Sequence, residues 1–209
     1  MLGGYVRELI ASRRTHPGSD LVSMLVEAAD GDGLLSDSEL VAMIVLLLVA
    51  GTETSVSLIG TTVWALLQHP DELVRLREAP WLLPAAVEEA LRWESPVQRT
   101  WRIAMAEVAV SGHTIPRGAL VVLLLGAANR DPARFAEPDR FDVLRRDLGH
   151  VAFGGGVHVC LGAALARLET QVAISALLRR LPGLRLATEQ AAWRPTATLR
   201  GLATLRVTC

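Results

Sequence analysis

From Ser36 to His69 the chain contains no residue that would stop a helix, and this stretch constrains the fold more than any other. Ser36 and Glu39 stand ahead of an apolar stretch in the Ser-x-x-Glu pattern, in which each side chain caps the other's backbone amide. His69-Pro70 closes the segment, and Gly51 and Gly60 weaken a helix without ending it. At about 1.5 Å per residue, some thirty residues make a helix roughly 45 Å long. Leu40 to Ala50 is apolar on every side, so this helix, over about 36–69, is expected to run through the middle of a fold. That apolar run alone is too short to cross a bilayer.

Shorter elements surround it. Leu2 to Ser12 reads as a helix broken by Pro17-Gly18, and Asp20 to Ala29 as a second one capped by Asp20. Asp30 to Gly33 makes a turn, and Asp71 to Glu78 a short helix. Pro84 suits the first turn of a helix over about 84–93, which stops before Pro96. Arg99 to Leu125 has strand character, punctuated by Gly112, Pro116 and Gly118. A Pro-, Asp- and Arg-rich loop fills Asn129 to Gly149, and the glycine-rich segment 153–162 leads into a last long helix over about 161–181, ended by Pro182-Gly183. Strand-like stretches close the chain. The expected fold class is mainly α with minor β, in one unit covering 1–209.

The hydrophobic fraction of 51% and mean hydropathy of +0.34 fit a chain with much to bury. A net charge of -1 gives no electrostatic reason to expect nucleic acid or an anionic membrane as partner. All 21 basic residues are Arg, which reads as codon usage rather than function. Two cysteines without disulfide or zinc spacing favour a reducing compartment. Charges at Arg7, Glu8, Arg13 and Arg14 leave no apolar core for a signal peptide near the start, so the expected location is cytoplasmic.

Chemistry concentrates at Cys160. An isolated cysteine in an apolar run is usually a small buried hydrophobe. Here Gly154, Gly155 and Gly156 precede it and Gly162 follows, sparing space for a close approach. A long helix begins just after it, and the amides and dipole of a helix start stabilise a thiolate. A thiolate against a face kept clear by glycines suits axial ligation of haem iron.

The segment Phe153-Gly154-x-Gly156-x-His158-x-Cys160-x-Gly162, continuing ALARLE, resembles the cysteine loop of the cytochrome P450 family at every fixed position. Two further motifs match in the family's order. Glu89-x-x-Arg92, whose spacing puts both side chains on one helix face, resembles its Glu-x-x-Arg and is followed by Pro138-x-Arg140-Phe141. Ala50-Gly51-Thr52-Glu53-Thr54-Ser55 resembles its oxygen-activation motif.

The resemblance implies the C-terminal, haem-binding portion of a bacterial cytochrome P450 fold. Its members are much longer than this chain. It implies haem b with Cys160 as the iron's axial ligand, and His158 and Arg102 as propionate partners. Phe153, Gly154, Gly156, Gly162 and Ala50 would lie against the cofactor. Glu53 and Thr54 become the catalytic acid–alcohol pair, on a helix expected to be locally deformed near Gly51. Arg140 is expected to join Glu89 and Arg92 in a buried network under the cysteine loop. Val49 and Ala50 would face substrate, and Val97 to Arg99 the pocket entrance. The implied activity is a monooxygenase acting on a small apolar organic substrate, in secondary metabolism. Electrons would come from NAD(P)H through a separate ferredoxin or flavoprotein, for which Arg145 and Arg146 offer a basic docking face. No nucleic acid or membrane enters this picture. A portion of a fold should also expose apolar surface, which favours a second chain supplying the N-terminal half.

Two alternatives stand beside it. One is an inactive haem-binding or vestigial fragment of such an enzyme. The other is a cysteine hydrolase using Cys160 and His158, whose side chains diverge at a spacing of two on an extended segment.

Overall fold

A computed structural model describes residues 2–33, 35–188 and 190–209. The helices are α1 (Leu2–Thr15), α2 (Leu21–Asp32), α3 (Asp37–Gln68), α4 (Pro70–Glu78), α5 (Leu83–Trp93), α6 (Leu125–Ala128) and α7 (Ala163–Arg180). The strands are β1 (Thr100–Ile103), β2 (Val108–Val110), β3 (His113–Ile115), β4 (Leu120–Leu123), β5 (Arg185–Leu186), β6 (Ala192–Trp193), β7 (Leu202–Thr204) and β8 (Val207–Thr208). All pairing is antiparallel, in two-stranded ribbons β1–β4, β2–β3, β5–β8 and β6–β7. The fold is mainly α with minor β.

Two compact units divide within α3, at Met1–Glu53 and Thr54–Cys209. In the first, Val6 and Ile10 of α1 pack with Val26 and Ala29 of α2 and with Leu40 and Ile44 of α3. The starts of α2 and α3 are capped by side chains. Asp20 accepts from the Ser23 amide at 2.9 Å, and the Ser36 amide donates to Glu39 Oε2 at 2.8 Å while Ser36 Oγ accepts from the Glu39 amide at 3.4 Å. That reciprocal pair is the capping box read from the sequence.

The second unit is built around α5. Ala86, Ala90, Phe141, Val143, Ile174 and Leu184 belong to one cluster with Val63, Ala65 and Leu66 of α3. Val87 and Leu91, one step round the same helix, pack with Leu58 and Ala152. Most of α5 is therefore buried, Glu89 and Arg92 included, and a buried charge must find partners.

Two expectations about α3 change. Its helix carries exposed Leu46, Leu48, Val49 and Val56, so it is not wrapped on all sides by this chain. Nor is it deformed near Gly51: the helix is α throughout, and a Cβ at Gly51 would meet no atom within 4 Å. The helix is also long and apolar enough to span a bilayer by length and composition. The uninterrupted run Leu40 to Ala50 underestimates this because a helix tolerates Gly, Thr and Ser within an apolar span.

Candidate functional site

Glu89 and Arg92 form a buried pair, with Arg92 Nε 2.7 Å from Glu89 Oε2 and Nη2 2.8 Å from Oε1. The guanidinium spends its remaining N–H groups on backbone carbonyls: Asn129 O at 2.9 Å, Pro138 O at 2.8 Å and Arg140 O at 3.0 Å. All five donors of the fork are thereby used. Glu89 also accepts from the Asp142 amide at 3.0 Å. The Glu89–Arg92 pair thus pins the irregular loop after α6 to α5.

The third charged side chain of this network is Arg145. Its Nε lies 3.1 Å from Glu89, and its side chain is 9% exposed. Arg140, expected in that role, is 54% exposed and turns its side chain to Glu137 and Asp142. What Arg140 contributes is its backbone carbonyl, which accepts from both Arg92 and Arg145. Arg145 therefore does not lie on a docking face. No periodicity marks which arginine of an irregular loop turns inward, and the sequence carries no local signal for it.

Asn129 relays the network toward the cysteine. Buried beneath Ser95, it accepts from the Val151 amide at 2.8 Å through Oδ1. The Gly154 amide then donates to Val151 O at 2.8 Å, and the Cys160 amide to Phe153 O at 3.0 Å. Gly154 and Gly156 have φ of 72° and 69°, the left-handed region that side chains disfavour. They reverse the chain through a short turn, Gly156–His158, that presents Cys160 at the surface.

Around that thiol the surface is apolar and open. Val157 is 95% exposed and Leu161 88% exposed. A Cβ added at Gly155, Gly156 or Gly162 would meet nothing within 4 Å. One soft donor on a flat, apolar, sterically empty face fits a planar apolar ring carrying a thiophilic metal at its centre. Haem has that shape and chemistry, so the residues present fit it.

The other expected site residues are spread along the chain. His158 is exposed in the turn before Cys160. Arg102 is exposed on β1, its Nη1 donating to Trp101 O at 2.8 Å. On α3, Ala50 is exposed and Glu53 and Thr54 are half-buried, while Thr52 Oγ1 donates back to Leu48 O at 2.7 Å. Val97 bridges to Leu199, and Arg99 stacks on Trp101.

Three residues given no role in the motif reading also lie beside the loop. Glu88 on α5 binds Arg167 of α7 and His150. Burial pushes the Glu88 carboxyl up, but hydrogen bonds from Arg167 and then His150 outweigh it and hold it at about 2. Glu88 adjoins a motif residue and Arg167 lies in the ALARLE continuation, but only the folded contacts show that the two meet.

The second unit thus places a surface cysteine on a glycine turn beside a buried Glu–Arg pair, an arrangement that fits a haem-binding protein. The family model for cytochrome P450 matches residues 81–191, just over half the chain, and the chain belongs to that family. It is 53% identical to cytochrome P450 107B1 of Saccharopolyspora erythraea over 97% of this chain and 51% of that protein. To 6-deoxyerythronolide B hydroxylase of the same organism it is 46% identical, over 95% of this chain and 50% of the relative. Among solved structures, P450BioI in complex with an acyl carrier protein ligated to hexadec-9Z-enoic acid superposes with a TM-score of 0.94 at 48% identity. That match covers 100% of this chain and 53% of the other. The chain spans about half the length of the relatives it matches.

Proposed function

We propose that this chain is the haem-binding portion of a monooxygenase that inserts one atom of dioxygen into an apolar organic substrate, in secondary metabolism. The observation that carries this is Cys160, a lone thiol on an open apolar face whose loop is anchored to a buried charge network. When bound, haem b supplies the redox-active iron at which dioxygen is activated. On this chain Cys160 Sγ would be the sulfur donor that holds it, and the glycine turn at 154–156 and Gly162 would clear space for it. Phe153 and Ala50 would lie against it, and His158 and Arg102 would meet the propionates with N–H donors.

Glu53 and Thr54 divide the remaining work. The Glu53 carboxyl would deliver protons, and the Thr54 hydroxyl would hold water and pass a proton through Oγ1. Both are half-buried on α3. Electrons would come from NAD(P)H through a separate ferredoxin or flavoprotein. The names of the hydroxylase relative and of the fatty-acyl complex support an apolar substrate.

The free cysteines support a cytoplasmic setting. Leu40, Ile44, Leu58 and Leu66 of α3 all belong to packed cores, which supports a core helix over a membrane span. A second chain supplying the N-terminal half fits the apolar residues left bare on α3, β4 and α7. The same bare surface favours a second reading, a haem-binding fragment without turnover of its own.

The test supplies haem, a ferredoxin with its reductase, NADPH and an apolar probe substrate such as a long-chain fatty acid. Thr54→Ala is expected to divert electrons from product to hydrogen peroxide. Equal coupling in both proteins removes Thr54 from the proton path. Haem bound through Cys160 without product from either protein selects the fragment reading.

A further inference from the structure

Glu88 and Glu89 are neighbours on α5, yet their carboxylates serve separate clusters. Arg167 grips Glu88 with two bonds, Nε to Oε1 at 2.6 Å and Nη2 to Oε2 at 2.9 Å. His150 Nε2 lies 3.1 Å from Oε2, and its side chain is 3% exposed. The second ring nitrogen of His150 accepts from the Ala152 amide at 3.2 Å. A neutral ring accepting at Nδ1 carries its proton on Nε2, so it donates to Glu88. The Glu88 side chain is 18% exposed, and charge-assisted bonds of this kind are stronger than those of a solvated surface pair.

Both partners of Glu88 lead to the cysteine loop. The Arg167 guanidinium lies 4.5 Å from the centre of the Phe153 ring, within range of a cation–π contact. Phe153 O is the acceptor for the Cys160 amide. His150 reaches the same segment through Ala152, the residue before Phe153. Hydrogen bonding to Glu88 holds the Arg167 guanidinium above its ordinary pKa against the opposing effect of burial.

We propose that Glu88, His150 and Arg167 are positioning residues for the thiol ligand: Glu88 anchors Arg167 over Phe153 and His150 under Ala152, and so fixes the carbonyl that holds the Cys160 amide. None of the three touches a reacting atom. They act separately from the Arg92 network, which reaches the loop through Asn129 and Val151. The proposal rests on Cys160 being the iron ligand.

The test uses the whole chain with Glu88→Gln and Arg167→Lys. Lysine keeps the charge but loses the planar fork over Phe153. Amide hydrogen exchange without haem is the first readout, and the reduced carbon-monoxide spectrum after haem addition the second. Exchange at Cys160 is expected to accelerate about tenfold or more in both variants, the loss of roughly one charge-assisted hydrogen bond, while Leu91 beside Arg92 keeps its protection. The share of the thiolate-type carbon-monoxide band is expected to fall in step. Unchanged exchange at Cys160 overturns the proposal, as does an equal rise at Cys160 and Leu91, which marks general loosening. Selective exchange with no thiolate band even in the unmodified protein overturns the proposal's link to a ligand, and with it the haem-thiolate reading, while leaving the clamp on the loop intact.

Discussion

Arg140 and Arg145 are five residues apart on one loop, and the structure gives them opposite environments. Arg145 meets Glu89 inside the protein, whereas Arg140 sits in solvent with Glu137. Arg145→Met should therefore cost about 1–3 kcal/mol, the range for leaving buried hydrogen-bonding groups unsatisfied. Arg140→Met should stay within about 0.5 kcal/mol, because its side chain makes only surface pairs and its carbonyl survives the change. Urea unfolding of both variants checks the order, and equal losses would restore Arg140 to the network. Glu89 and Arg92 were legible in the sequence because a spacing of three places both on one helix face. The choice between the arginines was not. It depends on how the chain turns near Glu137, which has a φ of 46°, and no residue pattern in the loop announces that turn.

At the scale of elements, α5 holds the second unit together by its charged residues as much as by its apolar ones. Glu88 joins α5 to α7 through Arg167 and to the loop through His150. Because the folded carboxyl lies at about 2 against an ordinary 4.5, its contribution to stability is present above about pH 4.5 and is lost as pH falls toward 2. Glu88→Gln should flatten that part of the stability–pH curve while leaving other carboxylates to act. A curve of unchanged slope between pH 4.5 and 2 would contradict the assignment. The capping box of α3 was legible because both partners lie within one turn. The partnership of Glu88 with Arg167 spans 79 residues, and its partners come from two elements whose packing a sequence pattern does not specify.

For the whole molecule, the apolar composition is only partly buried. Leu165, Leu168 and Val172 make an exposed stripe along one side of α7, while Thr170 and Ile174 on the other side are buried. Exposed Leu120, Val122, Leu123 and Leu124 add a second apolar area at β4. Exposed apolar side chains grouped in this way favour association. Alone, the chain is expected to bind an environment-sensitive apolar dye and to self-associate. Co-expression with the N-terminal half of a relative should suppress both. A monodisperse, dye-silent monomer would contradict that expectation. The fold class was legible from helix length and breakers, but the bare flanks of α3 were not, since a residue pattern marks which positions are apolar without marking what covers them.

The most direct test of the account is the reduced, carbon-monoxide difference spectrum of the chain after haem is supplied, compared with Cys160→Ala. A strongly red-shifted Soret band in the unmodified chain, absent from the variant, is the expected result and shows thiolate ligation by Cys160. A band at the position of thiol or histidine ligation, or one that survives Cys160→Ala, would contradict it.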